Sequence, residues 1–144
     1  MSVDEVNAES ASSGGSRGTA NRVSVVIAPE SLDVNALRAE LDLTGCGSVV
    51  TFLGVTRGEE DGVAVERLEF DAWEEQLPIV LGDLGEQAIE VFGVHSVAIS
   101  HRTGSVEPGE PIVAIHVASP HRAEGFEACI LSLLHIPEPT RPRL

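Results

Sequence analysis

From Trp73 to Phe92 apolar side chains recur at helical spacing, through Trp73, Leu77, Val80, Leu81, Leu84, Ala88 and Ile89, and Gly93 supplies the stop. Several apolar runs on either side are only strand-length and lie between glycine, proline and acidic turns. This contrast constrains the fold more than any other feature. One long helix and several short strands share a single core when the helix lies across a sheet.

The other elements follow from the same periodicities. Val23–Ala28 reads as a strand, and Leu32–Leu41 as a short helix opened by Ser31 or Asp33, with Leu37 and Leu41 on one side. Gly45 and Gly47 break the chain before a strand over Ser48–Gly54. The RGEEDG stretch from Arg57 to Gly62 carries turn chemistry, and Ala64–Ala72 continues as a strand, so these two strands are expected to form an antiparallel pair. Val94–His101 and Ile112–Ala118 read as strands joined by the EPGE turn Glu107–Glu110. A closing helix over about His121–Leu134 is expected to bury Phe126, Cys129 or Ile130, and Leu133. Pro78, in the second turn of the long helix, predicts a local kink; Gly82 and Gly85 either weaken that helix or admit another backbone. The order βαββαββα predicts an α+β domain with a mostly antiparallel sheet.

Residues 1–22 are polar and lack hydrophobic periodicity, so they are expected to be disordered, leaving one domain over residues 23–134 and a Pro/Arg-rich tail over 135–144. No apolar run is long enough to span a membrane, and the start lacks the basic and apolar regions of a signal peptide. The chain is expected to be soluble and cytoplasmic. Cys46 and Cys129 are too few and too far apart to suggest disulfides or a zinc site, so no metal is implied. A net charge of −14, with nine arginines spread thinly and no lysine, argues against nucleic acid. The same acidity suits a salt-rich setting.

Two segments carry chemistry: GSVVTFLGVTR, Gly47–Arg57, and SPHRAEGFEA, Ser119–Ala128. Each places basic side chains where an apolar strand ends. In the second, Ser119 reads as an N-cap and Pro120 as the first helical residue, with His121 and Arg122 in the first turn. Unpaired backbone N–H groups there favour a phosphate or carboxylate, and an imidazole and a guanidinium add directional donors. Two cations at a positive helix end repel each other unless an anion sits between them. His116, alternating with Ile112, Ala114 and Ala118, reads as a core or interface histidine, and His101 with Arg102 as structural.

With VERLEFDAWEEQ and the HRTGSVEPGE turn between them, these segments resemble the catalytic subunit of molybdopterin synthase, the MoaE family, over roughly Val23–Leu134. The resemblance implies an α/β-hammerhead fold. It also implies sulfur transfer from the thiocarboxylated C-termini of a small ubiquitin-like carrier subunit onto cyclic pyranopterin monophosphate, within a heterotetramer built on a homodimer. No cofactor is implied. Arg57, His121 and Arg122 would hold the substrate's phosphate and pterin and stabilise developing negative charge, with Phe52, Val55 and Thr56 at the pocket.

The ending departs from that pattern. Family members carry two lysines here, attributed to the active site, whereas this chain reads LLHIPEPTRPRL. Arginine is no substitute, because a guanidinium does not readily lose its proton. The Pro/Arg-rich ending suggests a frameshifted or truncated gene product, the alternative being a naturally shortened, lysine-free paralogue. Two rival functions follow: a catalytically impaired protein that still binds the pterin or the small subunit, and an unrelated phosphoester enzyme using His121.

Overall fold

The computed structural model describes residues 22–60, 63–64, 67–70, 75–131, 133 and 140–143. Residues 1–21 and 61–62, Trp73 and residues 134–139 lie outside the described residues. In chain order the elements are β1 (Val23–Ala28), α1 (Val34–Arg38), β2 (Ser48–Val55), β3 (Glu59–Glu60), β4 (Val63–Ala64), β5 (Arg67–Phe70), α2 (Leu77–Phe92), β6 (Ser96–Arg102), β7 (Gly104–Val106), β8 (Pro111–Ser119), α3 (Arg122–Leu131) and β9 (Thr140–Arg143).

A four-stranded sheet in the order β1-β6-β8-β2 forms the centre. The β1–β6 pair is parallel and the other two are antiparallel. Period-2 alternation divides the sheet's side chains between two cores. On one face Val97, Ile99, Ile115 and Val117 meet Leu77, Leu81 and Ala88 of α2 and Ala128 and Cys129 of α3. On the other, the small residues Ala98, Ala114 and Ala118 face Leu37 of α1 with Leu32 and Leu41. Small side chains there let the short helix approach closely. Asp33 caps α1, its carboxylate accepting the Ala36 N–H at 3.0 Å.

The α+β class, the long helix and the mostly antiparallel sheet agree with the sequence, and Gly93 ends α2 in the left-handed region at φ 75°. Other expectations are corrected. The short helix is trimmed to Val34–Arg38. Pro78 stands in the first turn of α2, where its missing N–H has no intrahelical partner to lose, so it starts the helix instead of kinking it. The two strands expected to pair do not. β2 pairs with β8, while β4 pairs with β3, and β5 lies between β7 and β9. β8 offers β2 a long matched register over a shared core, which the two-residue β4 and four-residue β5 cannot. The EPGE turn joins β7 to β8, and β3, β7 and β9 are additional strands.

At the end of the sheet, α3 begins at Arg122 and stops at Leu131, shorter than expected. It buries Gly125, Ala128 and Cys129, with Leu133 buried beyond its end. Phe126 and Ile130 instead lie on its exposed face, at 53% and 59% exposure. The helix turns that face outward because its small side sits on β2, where a Cβ on Gly125 would stand 3.0 Å from Val50 Cγ2.

Candidate functional site

The antiparallel β2–β8 pair carries both candidate segments, one at each end. At one end Ser48 faces Ser119, and the Gly47 N–H donates to the Ser119 carbonyl at 3.1 Å. The chain then passes Pro120 and His121 into α3. Ser119 is the last residue of β8 and does not cap the helix. Its hydroxyl donates to the His121 carbonyl at 2.6 Å, so Pro120 precedes the helix and His121 is the residue before its first turn. His121 and Arg122 are both exposed, as an anion site on a helix start requires. Glu124 shares this first turn, and its Oε1 is buried with no hydrogen-bond partner among the described residues. An anion arriving here competes with that carboxylate for the positive helix end.

At the opposite end Val55 is exposed, Thr56 is 3% exposed, and Arg57 is exposed immediately after it. The Thr56 N–H donates to the Glu110 carbonyl at 3.0 Å and its carbonyl accepts the Gly109 N–H at 2.8 Å, tying the end of β2 to the EPGE turn. The turn is tight: the Glu110 N–H donates to the Glu107 carbonyl at 3.1 Å, and Gly109 takes φ 88°, which a side chain would resist. Thr56 Oγ1 is buried and has no hydrogen-bond partner among the described residues. Phe52 lies along β2 between the two ends, half-buried against the helix-side core.

The structure therefore unites Val55, Thr56 and Arg57 at one end and His121 and Arg122 at the other. Seven residue steps of β2 separate Ser48 from Val55, about 23 Å of extended strand. Within one chain the two basic groups do not converge.

The remaining reactive groups serve the fold. His116 Nε2 donates to the Val34 carbonyl at 3.1 Å, and in the neutral ring this leaves Nδ1 to accept from the Thr51 hydroxyl, 2.7 Å away. Burial lowers its pKa, with Arg38 acting the same way and the Val34 hydrogen bond opposing. His95 faces Asp42 at 3.2 Å. Burial raises the Asp42 pKa, but the two hydrogen bonds from Thr44 and the nearby His95 ring outweigh it and the net shift is downward. Burial raises both Cys46 and Cys129, so neither thiol is a ready thiolate. Among the described residues no cluster of His, Cys, Asp or Glu could hold a metal ion, and no helix is long and apolar enough to cross a membrane.

Sequence reasoning did not anticipate Glu124 in the helical turn beside His121 and Arg122, or the tie between Glu110 and Thr56. The ion pair of Arg102 with Glu110, 3.4 Å apart, also went unread, although both stand in the HRTGSVEPGE segment.

Residues 27–133 match the family described as MoaE protein. The chain is 33% identical over 109 residues to the molybdopterin synthase catalytic subunit of Pyrococcus abyssi, covering 76% of this chain and 74% of that one. It is 39% identical over 83 residues to the same subunit of Thermoplasma volcanium, covering 58% of this chain and 61%, less than two thirds, of the relative. Its fold is similar to that of molybdopterin synthase from Staphylococcus aureus, with a TM-score of 0.69, 28% identity, and coverage of 80% of this chain and 85% of that one. A Helicobacter pylori structure of the complex of subunits 1 and 2 of molybdopterin-converting factor shares the fold at TM-score 0.64 and 21% identity, over 81% and 80% of the two chains.

Proposed function

Because the chain belongs to the MoaE family of molybdopterin synthase catalytic subunits, a sulfur-transferring enzyme family, we propose that it binds cyclic pyranopterin monophosphate through Arg57, His121 and Arg122. Sulfur arrives on the thiocarboxylated C-terminus of a small ubiquitin-like subunit, a partner that the Helicobacter pylori complex makes reasonable. The observation that carries this reading is that the family match, residues 27–133, includes both basic segments in full. A guanidinium and an imidazole held at a helix start take a phosphate by charge-assisted hydrogen bonds and stabilise negative charge as sulfur attacks. Phe52, Val55 and Thr56 border the pterin. A cytoplasmic setting fits two free cysteines.

Arg57 and His121–Arg122 sit at opposite ends of the β2–β8 pair, so one phosphate meets both only where a second copy lends its end. We therefore read the chain as a homodimer, with the small subunit completing a heterotetramer. Replacing Arg122 with Ala should weaken binding by about 1.5 to 3 kcal/mol, the scale of a charge-assisted hydrogen bond. Calorimetry with cyclic pyranopterin monophosphate checks this, and unchanged affinity removes Arg122 from the site. Mixing R57A and R122A chains should recover tight binding at part of the sites, since a mixed dimer keeps one intact composite. No recovery would sink the dimeric reading while leaving the substrate in place.

A second reading rests on the absence of lysine from the sequence. Proton transfer or covalent attachment assigned to lysines has no donor in this chain, which favours a binding protein with impaired turnover. A sulfur-transfer assay with the thiocarboxylated partner separates the two. Binding without sulfur incorporation selects the impaired form.

A further inference from the structure

Arg57 follows a residue that is held from two directions. Glu110 and Gly109 grip the backbone of Thr56 through its N–H and its carbonyl, at 3.0 and 2.8 Å. Glu110 Oε1 in turn accepts the Glu107 N–H at 3.0 Å and Arg102 Nη1 at 3.4 Å. That guanidinium has a side chain only 4% exposed. It is anchored on the carbonyls of Ala28 through Nε at 3.0 Å, and of Pro29 and Ser105 through Nη2 at 3.4 and 2.8 Å. A continuous set of hydrogen bonds thus runs from the buried end of β6, through Glu110, to the residue before Arg57.

Closing the turn does not demand this machinery, because Pro108 and Gly109 already suit the two central positions. The charged clamp adds something else: it fixes the turn, and with it the end of β2, against the sheet. Burying a guanidinium is costly unless its donors are met, and here four acceptors surround it. We propose that Arg102 and Glu110 are positioning residues for Arg57, holding the backbone at Thr56 so that the Arg57 guanidinium is presented to the substrate's phosphate from a fixed origin. The inference rests on the reading of Arg57 as an anion ligand. A long side chain on an unanchored backbone has further freedom to lose on binding, and that loss appears as affinity.

The test is a double-mutant cycle on binding of cyclic pyranopterin monophosphate, read by calorimetry on the full chain. Glu110→Ala should weaken binding about tenfold where Arg57 is present and add nothing further in the R57A background. Glu110→Gln, whose amide oxygen still accepts both hydrogen bonds, should stay within about twofold of the starting chain. Equal losses from Glu110→Ala in both backgrounds would overturn the proposal, since the residue would then act through the fold at large. So would an unchanged affinity. Full affinity in R57A alone overturns the anion-ligand reading itself, and is told apart because it needs no change at Glu110. Should Glu110→Ala fail to fold, Glu110→Asp, one methylene too short to reach Arg102, repeats the cycle under the same criteria.

Discussion

His116 is a titratable ring enclosed in a sheet, 1% exposed, with a carbonyl and a hydroxyl at its two nitrogens. Its folded pKa lies below the ordinary 6.5, mainly through burial. As pH falls below about 6.5 the unfolded chain takes up a proton that the folded chain refuses, so stability is lost there and regained on returning to neutral pH. The chain should lose stability more steeply between pH 7 and 5 than a His116→Gln variant, by at most about 1.4 kcal/mol per pH unit. Denaturant melts across that range check this; parallel curves would mean the ring charges inside the fold. The sequence already placed His116 beside Ala114 and Ala118 by alternation. Its partner Thr51 could not be read, because that contact exists only once β2 and β8 are in register. The candidate site has the same history. Arg57, His121 and Arg122 are candidates on their motifs alone, whereas their separation depends on which strand β2 chooses.

Among the elements, α2 shows two glycines with opposite roles. A Cβ on Gly85 would stand 2.7 Å from Val23 Cγ1, so the helix and β1 touch through the missing side chain. At Gly82 nothing lies within 4 Å. Gly82→Ala should therefore raise stability by about 0.5 to 1 kcal/mol through helix propensity, while Gly85→Ala should lower it by about 1 to 3 kcal/mol through overpacking. Thermal melts of the two variants decide it, and shifts of the same sign would contradict the packing. The helix itself was legible because a period of 3.6 is local. Strand pairing was not, because β2 and Ala64–Ala72 looked equally suited to each other until β8 competed. The exposed face of α3 was hidden for a related reason: Phe126 and Ile130 share a helical spacing with the buried positions, and only Gly125 pressing on β2 decides which side turns inward.

Across the whole molecule a net charge of −14 makes the compact state repel itself. Added salt shortens the reach of that repulsion from about 10 Å at 0.1 M to about 3 Å at 1 M. The melting temperature should climb between 0.1 and 1 M sodium chloride, and a flat or falling profile would mean that the carboxylates are already compensated locally. The sheet order has a second consequence, for the chain as it is being made. β2, an uncharged run rich in β-branched residues, leaves the ribosome well before its partner β8, with β3, β4, β5, α2, β6 and β7 still to be synthesised between them. At about 5 to 20 residues per second, that interval lasts several seconds. Throughout it a sticky strand waits without a neighbour, so the nascent protein depends on chaperones or on dilution to reach its own second half before it meets another copy of its first.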